Sequence, residues 1–221
     1  MAHPSTAALG RLGPPLVRLA EAQQQWPPRL TAGPLLRPGA GFDDGTAAAD
    51  RAADEGQDLI LLDPDREPPA ATCAAAALLG LDPVGAVGLQ PAPDWAERVR
   101  VVREGLPACR GLLGEPDTML RTLDDPDLAW LTGVLTQAAV RGLPVLFGGP
   151  AATSALVAGR LCAGGAVWWL PADVPAAPAG RAALAELGAT AVLDLGLPGA
   201  GGARLALGLL QAALRLLTDL P

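Results

Sequence analysis

The chain of 221 residues is long enough for one domain with a sizeable core, and with half of its residues apolar it is not a disordered segment. It has no Lys, Asn or Tyr and a lone His, His3, which excludes a Schiff-base lysine and a phosphate-loop lysine and argues against a His-based nucleophile or metal site. A net charge of -7, from 23 acids against 16 arginines, argues against the phosphate contacts on which nucleic-acid binders rely.

Cys73, Cys109 and Cys162 lie far apart, and no CxxC pair suggests zinc or dithiol chemistry. Scattered thiols fit a reducing compartment, so a cytoplasmic protein is expected. The first residues, MAHPSTAALGRLGPP, lack the apolar core of a signal peptide, and the longest apolar stretch, Ala70 to Leu81, is too short to cross a bilayer. Any catalysis rests on carboxylates, arginines, backbone dipoles or a bound cofactor. No cofactor or metal motif is present, and neither is expected.

In chain order, Pro14 to Trp26 places Leu16, Leu19 and Ala20 at helical spacing, and the Pro/Gly-rich stretch Pro27 to Gly45 reads as an irregular connection. Thr46 to Glu55 predicts a helix closed by Gly56, and Asp58 to Leu62 a buried parallel strand. Ala70 to Leu79 reads as a buried helix. Asp94 to Leu106 reads as a surface helix, with Asp94 and Glu97 at capping-box spacing. From Asp125 the signals sharpen: Pro126 fits the first helical position, Leu128, Leu131, Val134, Leu135 and Ala138 share a face, and Gly142 closes the helix. Leu143 to Phe147 predicts a strand, Ala151 to Leu161 a helix, Ala166 to Leu170 a strand, Gly180 to Leu187 a helix and Thr190 to Leu195 a strand. The last helix, Gly202 to Leu217, keeps Arg204, Gln211 and Arg215 on one stripe and is otherwise nearly all apolar. This alternation predicts a single α/β domain over residues 1–221, with a parallel sheet and helices on both faces; residues 1–45 supply an N-terminal helix and connection.

Parallel sheets bind ligands outside the carboxyl ends of their strands. The Asp63-Pro-Asp-Arg-Glu-Pro-Pro69 loop holds the densest charge at a strand end, with Asp65 and Glu67 as acid-base candidates and Asp63 and Arg66 as binding candidates. Solvated loop charges would read the same way. Gly148 and Gly149, Asp173, and the glycines Gly199, Gly201 and Gly202 before the last helix complete the ligand-binding candidates. A glycine-rich loop at a helix N-terminus can cradle a phosphate or only turn the chain. Trp168-Trp169 reads as core, and Trp26, Trp95 and Trp130 as packing on helices.

Taken in order, these segments resemble the nicotinate-nucleotide:dimethylbenzimidazole phosphoribosyltransferases of cobalamin lower-ligand assembly. WAERVRVVREGL is similar to that family's helix of alternating basic and apolar residues, and DDPDLAWLTGVLTQAAVRGLPVLFGGPAATSALVAG to its Gly-Gly-Pro-Glu-Ile-Ala segment and following strand. AAPAGRAALAELGATAVLDLGL is similar to its Glu-Pro-Gly-His helix and Leu-Leu-Asp-Leu-Gly strand, and LGRL at Leu9 to Leu12 to the end of an N-terminal motif. The resemblance implies a three-layer fold, here lacking part of its first half because the stretch from Trp26 to Gly45 is too short for the elements normally found there. It also implies a dimer, either of two copies or with a catalytic homologue, and a nucleotide or benzimidazole ligand.

The departures from the family pattern fall on its functional motifs. The family's general-base glutamate aligns with Gly199, and its Gly-Glu-Met-Gly-Ile-Gly-Asn-Thr-Thr loop with DPDREPPAAT. Its Ser-His becomes Ala172-Asp173, its Glu-Pro-Gly-His becomes Ala177 to Gly180, and the aspartate of its Asp-Gly pair becomes Gly148. A member that kept the fold and lost the family reaction, acting as partner or regulator, is the leading expectation. A transferase with Glu67 or Asp65 as relocated base, and a binding protein for small aromatics, are the alternatives.

Overall fold

The computed structural model describes residues 4–31, 35–36, 41–89, 94–162, 168–197 and 199–218. Among these, a parallel sheet runs in the order β1 (Leu35–Leu36), β2 (Ile60–Leu62), β3 (Val145–Phe147) and β4 (Trp169–Pro171). Alternation along the three-residue strands divides the core. Ile60, Leu62, Val145, Phe147 and Trp169 face one side, where they pack with α2 (Phe42–Asp54), α7 (Pro126–Arg141) and α8 (Ala152–Leu161). Leu61, Leu146 and Leu170, aligned across β2, β3 and β4, face the other side, beneath α1 (Gly13–Gln23) and α10 (Gly202–Thr218). Helices thus cover both faces, as the parallel, fully apolar strands require.

A second cluster of buried side chains lies among helices rather than on the sheet. The alanine-rich α3 (Pro69–Leu79) is its centre, packed by α4 (Pro83–Val87), α5 (Trp95–Arg110), α6 (Pro116–Leu123) and α9 (Pro178–Glu186). Every residue of α3 from Ala70 to Ala77 is buried, so small side chains here let helices close in from several directions.

Local chemistry explains several boundaries. The Asp125 side chain accepts the Leu128 amide at 2.9 Å, and Gly142 (φ 66) ends α7 in the left-handed conformation. Asp94, by contrast, has a φ/ψ of -97/7 and makes no side-chain cap, so the expected capping box is not formed; Glu97 binds Arg100 instead, at 2.5 and 2.8 Å. The helix expected to stop at Leu106 runs to Arg110 with Pro107 inside it, because Val102, Leu106 and Cys109 bury one continuous face.

The stretch read as an irregular connection contains β1, which pairs Leu35 and Leu36 with Leu61 and Leu62. The helix expected from Thr46 begins at Phe42. A 3-10 segment over Pro4–Leu12 and helices α4 and α6 lie where no element was expected. Ala166 and Val167, the start of the expected third strand, lie outside the described residues, as does His3. The segment Thr190 to Leu195, expected as a full strand, is reduced to one parallel bridge between Leu193 and Asp173. The reason is a competing acceptor: the next amides, of Leu195 and Leu197, donate to the Asp173 carboxylate.

Candidate functional site

The loops after β2, β3 and β4 and the loop before α10 meet at the carboxyl end of the sheet, where a parallel α/β fold places its ligands. Asp63 follows Leu62 directly and is buried. Its Oδ2 accepts the Gly201 amide at 2.7 Å, while Oδ1 has no hydrogen-bond partner among the described residues. Gly148 is required beside it, since a Cβ there would overlap Asp63 Oδ1. Asp173, 1% exposed, accepts the Leu195 amide through Oδ1 and the Leu197 amide through Oδ2, each at 2.8 Å.

These two buried carboxylates pin the glycine-rich loop to the sheet. Three of its backbone amides are therefore occupied by the chain's own anions. Gly201 holds φ 117, a conformation suited to glycine, and Gly202 packs against Asp173, whose Cβ lies 3.3 Å from where a Gly202 Cβ would stand. Gly199 sits over the Asp65 carbonyl, 3.0 Å from the place of its own missing Cβ. Asp63, Asp173, Gly148, Gly199, Gly201 and Gly202 are thus brought together as one loop-anchoring assembly.

The remaining candidates divide. A cleft of about 140 Å³ opens between this assembly and α5, lined by Arg66, Glu67, Trp95, Arg98, Gly149 and Leu197 among others. Asp65 is exposed and lines a different depression, with Pro64, Pro68 and Asp127. The charge cluster at residues 63–67 is therefore two buried carboxylates and two solvated charges, not one unit.

Glu67 is the chemically distinctive group of the cleft. Its side chain is 9% exposed and pairs with Arg98 across 3.5 Å, long for a charge-assisted bond. Glu67 Oε1 is buried without a partner among the described residues, as are the hydroxyls of Thr72 and Thr153. Burial raises the Glu67 carboxyl above the usual carboxylate range; the Thr153 hydroxyl, the Arg98 charge and the Thr72 hydroxyl pull it down without offsetting the loss of solvent. Such a group holds its proton to higher pH than a solvated carboxyl does, which is the property an acid-base residue needs.

Sequence reasoning missed Trp95 and Arg98. Trp95 was expected to serve only packing, yet it lines the cleft half-buried while its indole Nε1 donates to the Gly88 carbonyl at 2.6 Å. The Trp-x-x-Arg spacing at the start of α5, which puts both on one helix face, was the available signal. Trp130 is core as expected, whereas Trp26 lies beyond the end of α1. Among the described residues there is no group of three or more His, Cys, Asp or Glu able to hold a metal ion, and no helix is long and apolar enough to cross a membrane.

Comparison with known proteins gives one consistent result. A family model described as Phosphoribosyltransferase (DBI_PRT) matches residues 39–221. A nicotinate-nucleotide–dimethylbenzimidazole phosphoribosyltransferase of Mycobacterium avium (strain 104) is 38% identical over 184 residues, covering 80% of this chain and 53% of that protein. The protein of the same name from Streptomyces coelicolor is 38% identical over 194 residues, covering 82% and 54%. The crystal structure of CobT from Thermus thermophilus matches with a TM-score of 0.68 at 30% identity, covering 80% of this chain and 55% of that one. The chain spans about half the length of the curated relatives it matches.

Proposed function

The chain belongs to the nicotinate-nucleotide–dimethylbenzimidazole phosphoribosyltransferase family, and from that premise we propose that it serves cobalamin nucleotide-loop assembly as a partner or regulator, holding a nucleotide or small aromatic ligand in the Trp95 cleft without performing the family transfer. The observation that carries this reading is the state of the loop before α10. The position at which the resemblance places the family's general base is Gly199, which has no side chain to accept a proton, and the nearby amides of Leu195, Leu197 and Gly201 are taken by Asp173 and Asp63. Transfer to an azole needs a group to take the azole proton and donors to hold the ribose phosphate. A positioned general base alone contributes about 10²- to 10⁴-fold, and a phosphate brought to this loop meets two buried carboxylates instead of free amides.

Partnership is supported by the outer face of α10, where Leu205, Leu209 and Leu216 are exposed on one side of the helix. A second copy, or a catalytic member of the family, is the partner this reading assigns to that face. We expect the purified chain to sediment as a dimer at micromolar concentration, alone or mixed with a catalytic relative, and Leu205→Glu with Leu209→Glu to abolish the association. A monomer under both conditions rejects the partnership.

Burial of Glu67 in the cleft favours a second reading, in which Glu67 is a relocated general base and the chain an active transferase. The two readings separate in one assay. Nicotinate mononucleotide and dimethylbenzimidazole are supplied to the purified chain and α-ribazole phosphate is measured. The first reading expects no product; turnover in the wild type that vanishes in Glu67→Gln establishes the second.

A further inference from the structure

Resting on the cleft as a ligand site, we propose that Glu67 gates an oxyanion site built on Arg98 and Arg66: an incoming oxyanion takes Arg98 from Glu67, and Glu67 leaves the pair as a neutral carboxylic acid, so that each anion is bound together with one proton.

Arg98 offers a planar fork of five N–H donors. Its one side-chain hydrogen bond among the described residues is the 3.5 Å approach to Glu67, which leaves most of that donor set unused. Arg66, on the same wall, is exposed, and no hydrogen bond or ion pair of its side chain is formed among the described residues. Two guanidinium groups with spare donors beside the indole of Trp95 suit an oxyanion, whether free or carried on an aromatic ring. Glu67 stands where such an anion's charge would lie, and it is the chain's own substitute for one.

The two negative charges cannot share Arg98 cheaply. Glu67 is the more buried member of the pair, with its side chain 9% exposed against 26% for Arg98, and Oε1, unpaired among the described residues, has only the neutral hydroxyls of Thr153 and Thr72 near it. Among the described residues, the lining of the cleft brings no charge to Glu67 other than Arg98 and Arg66. Helix α5 supplies Arg98, the Asp63–Pro69 loop supplies Arg66, α3 and α8 supply the hydroxyls of Thr72 and Thr153, and α4 and the loops at Pro175–Ala177 and Leu197 present apolar or backbone surface. A buried carboxylate that loses its cation takes up a proton in place of a counter-ion. The proton comes from solvent, and no bond other than O–H is made.

Isothermal titration of the full chain tests this with probes whose own charge is constant across the pH range, sulfate for a free oxyanion and benzenesulfonate for an aromatic one. Wild-type affinity should fall with rising pH, by up to tenfold per pH unit once Glu67 is ionised in the free protein. Titrations in two buffers of different ionisation enthalpy should count one proton taken up per anion at alkaline pH. Glu67→Gln should bind the anion without pH dependence and at least tenfold more tightly than wild type at pH values where the wild-type affinity has begun to fall, and Arg98→Gln should lose binding at least tenfold. Tighter binding of benzenesulfonate than of sulfate assigns the site to aromatic anions, and equal binding to free oxyanions. Anion binding with no proton uptake, and unchanged in Glu67→Gln, overturns the gate while leaving the cleft as a ligand site. No binding of either anion to wild type or Glu67→Gln at any pH overturns both. The proton count uses wild-type protein alone, so the test survives a variant that fails to fold.

Discussion

The carboxylate of Asp63 accepts a hydrogen bond at 2.7 Å from the amide of Gly201, 138 positions later in the chain, and so ties the end of β2 to the start of α10. Asp173 makes the equivalent tie from the end of β4, to Leu195 and Leu197. Two strands thereby fix the loop that a phosphoribosyltransferase of this family would be expected to use for chemistry. The same bonds that order the loop also withdraw the Leu195, Leu197 and Gly201 amides from any external anion.

Replacing Asp173 by Asn tests how much of the loop rests on this tie. The amide side chain keeps one acceptor oxygen, but its NH2 group is turned toward a backbone N–H, so one of two charge-assisted bonds is lost and a buried donor is left facing a donor. We expect unfolding in urea to show a loss of about 1–3 kcal/mol. Hydrogen exchange at Leu195 and Leu197 should accelerate more than at β3. Unchanged exchange at those two amides would contradict the anchoring role.

Gly133 in α7 lies against the Phe42 carbonyl of α2, and Gly45 of α2 lies against the Trp130 carbonyl of α7, so backbone meets backbone where the helices cross. Helix propensity alone favours Ala over Gly by about 1 kcal/mol. A Cβ at Gly133 would instead force two buried helices apart, and overpacking of this kind costs about 1–3 kcal/mol. Gly133→Ala should therefore lower the melting temperature despite its better propensity. A rise would mean that the crossing is looser than the geometry states.

Glu67 makes stability depend on pH in a defined direction. Its carboxyl is raised in the folded chain by burial, so between the ordinary carboxylate range and the raised value the folded state binds more protons than the unfolded one. Stability from this group is complete at acid pH and is lost as pH rises through the raised value. Glu67→Gln removes the loss. The variant should match wild type near pH 4 and gain on it progressively as pH rises; a constant difference across the pH range would exclude the linkage.

The legible parts of the molecule were those written in local sequence. Leu59 to Leu62 and Val145 to Phe147 are continuous apolar runs between turn signals, and both are strands or strand edges. Asp125, Pro126 and Gly142 bracket α7 as their chemistry dictates. Leu35–Leu36 was illegible because two leucines in a Pro/Gly-rich stretch carry no period, and only pairing with Leu61–Leu62 makes them a strand. Charge density pointed to the 63–67 loop, but which of its carboxylates are buried is not local information. Asp63 is buried because Gly148 and Gly201 close on it, and Glu67 because α3, α5 and α8 converge there. The pairing of Trp95 and Arg98 with that loop likewise exists only once α5 packs beside α3.

Putting a carboxylate at Gly199, where the resemblance places the family's base, should not restore the family reaction. A Cβ at Gly199 would lie 3.0 Å from the Asp65 carbonyl, its nearest neighbour, so Gly199→Glu requires the exposed Asp65 loop to give by a few tenths of an ångström, and its fold is checked by circular dichroism before assay. Its new carboxylate would stand beside a loop in which the Leu195, Leu197 and Gly201 amides remain bound to Asp173 and Asp63, so those amides are not available to hold a ribose phosphate near it. Groups that act as a unit in catalysis are strongly non-additive, and one restored member returns little without the others. Gly199→Glu should therefore give no measurable α-ribazole phosphate under conditions where a catalytic relative is active. Turnover in Gly199→Glu above that of wild type would mean that the phosphate is held elsewhere in this chain, and the Arg66–Arg98 wall of the cleft would then be the place to look for it.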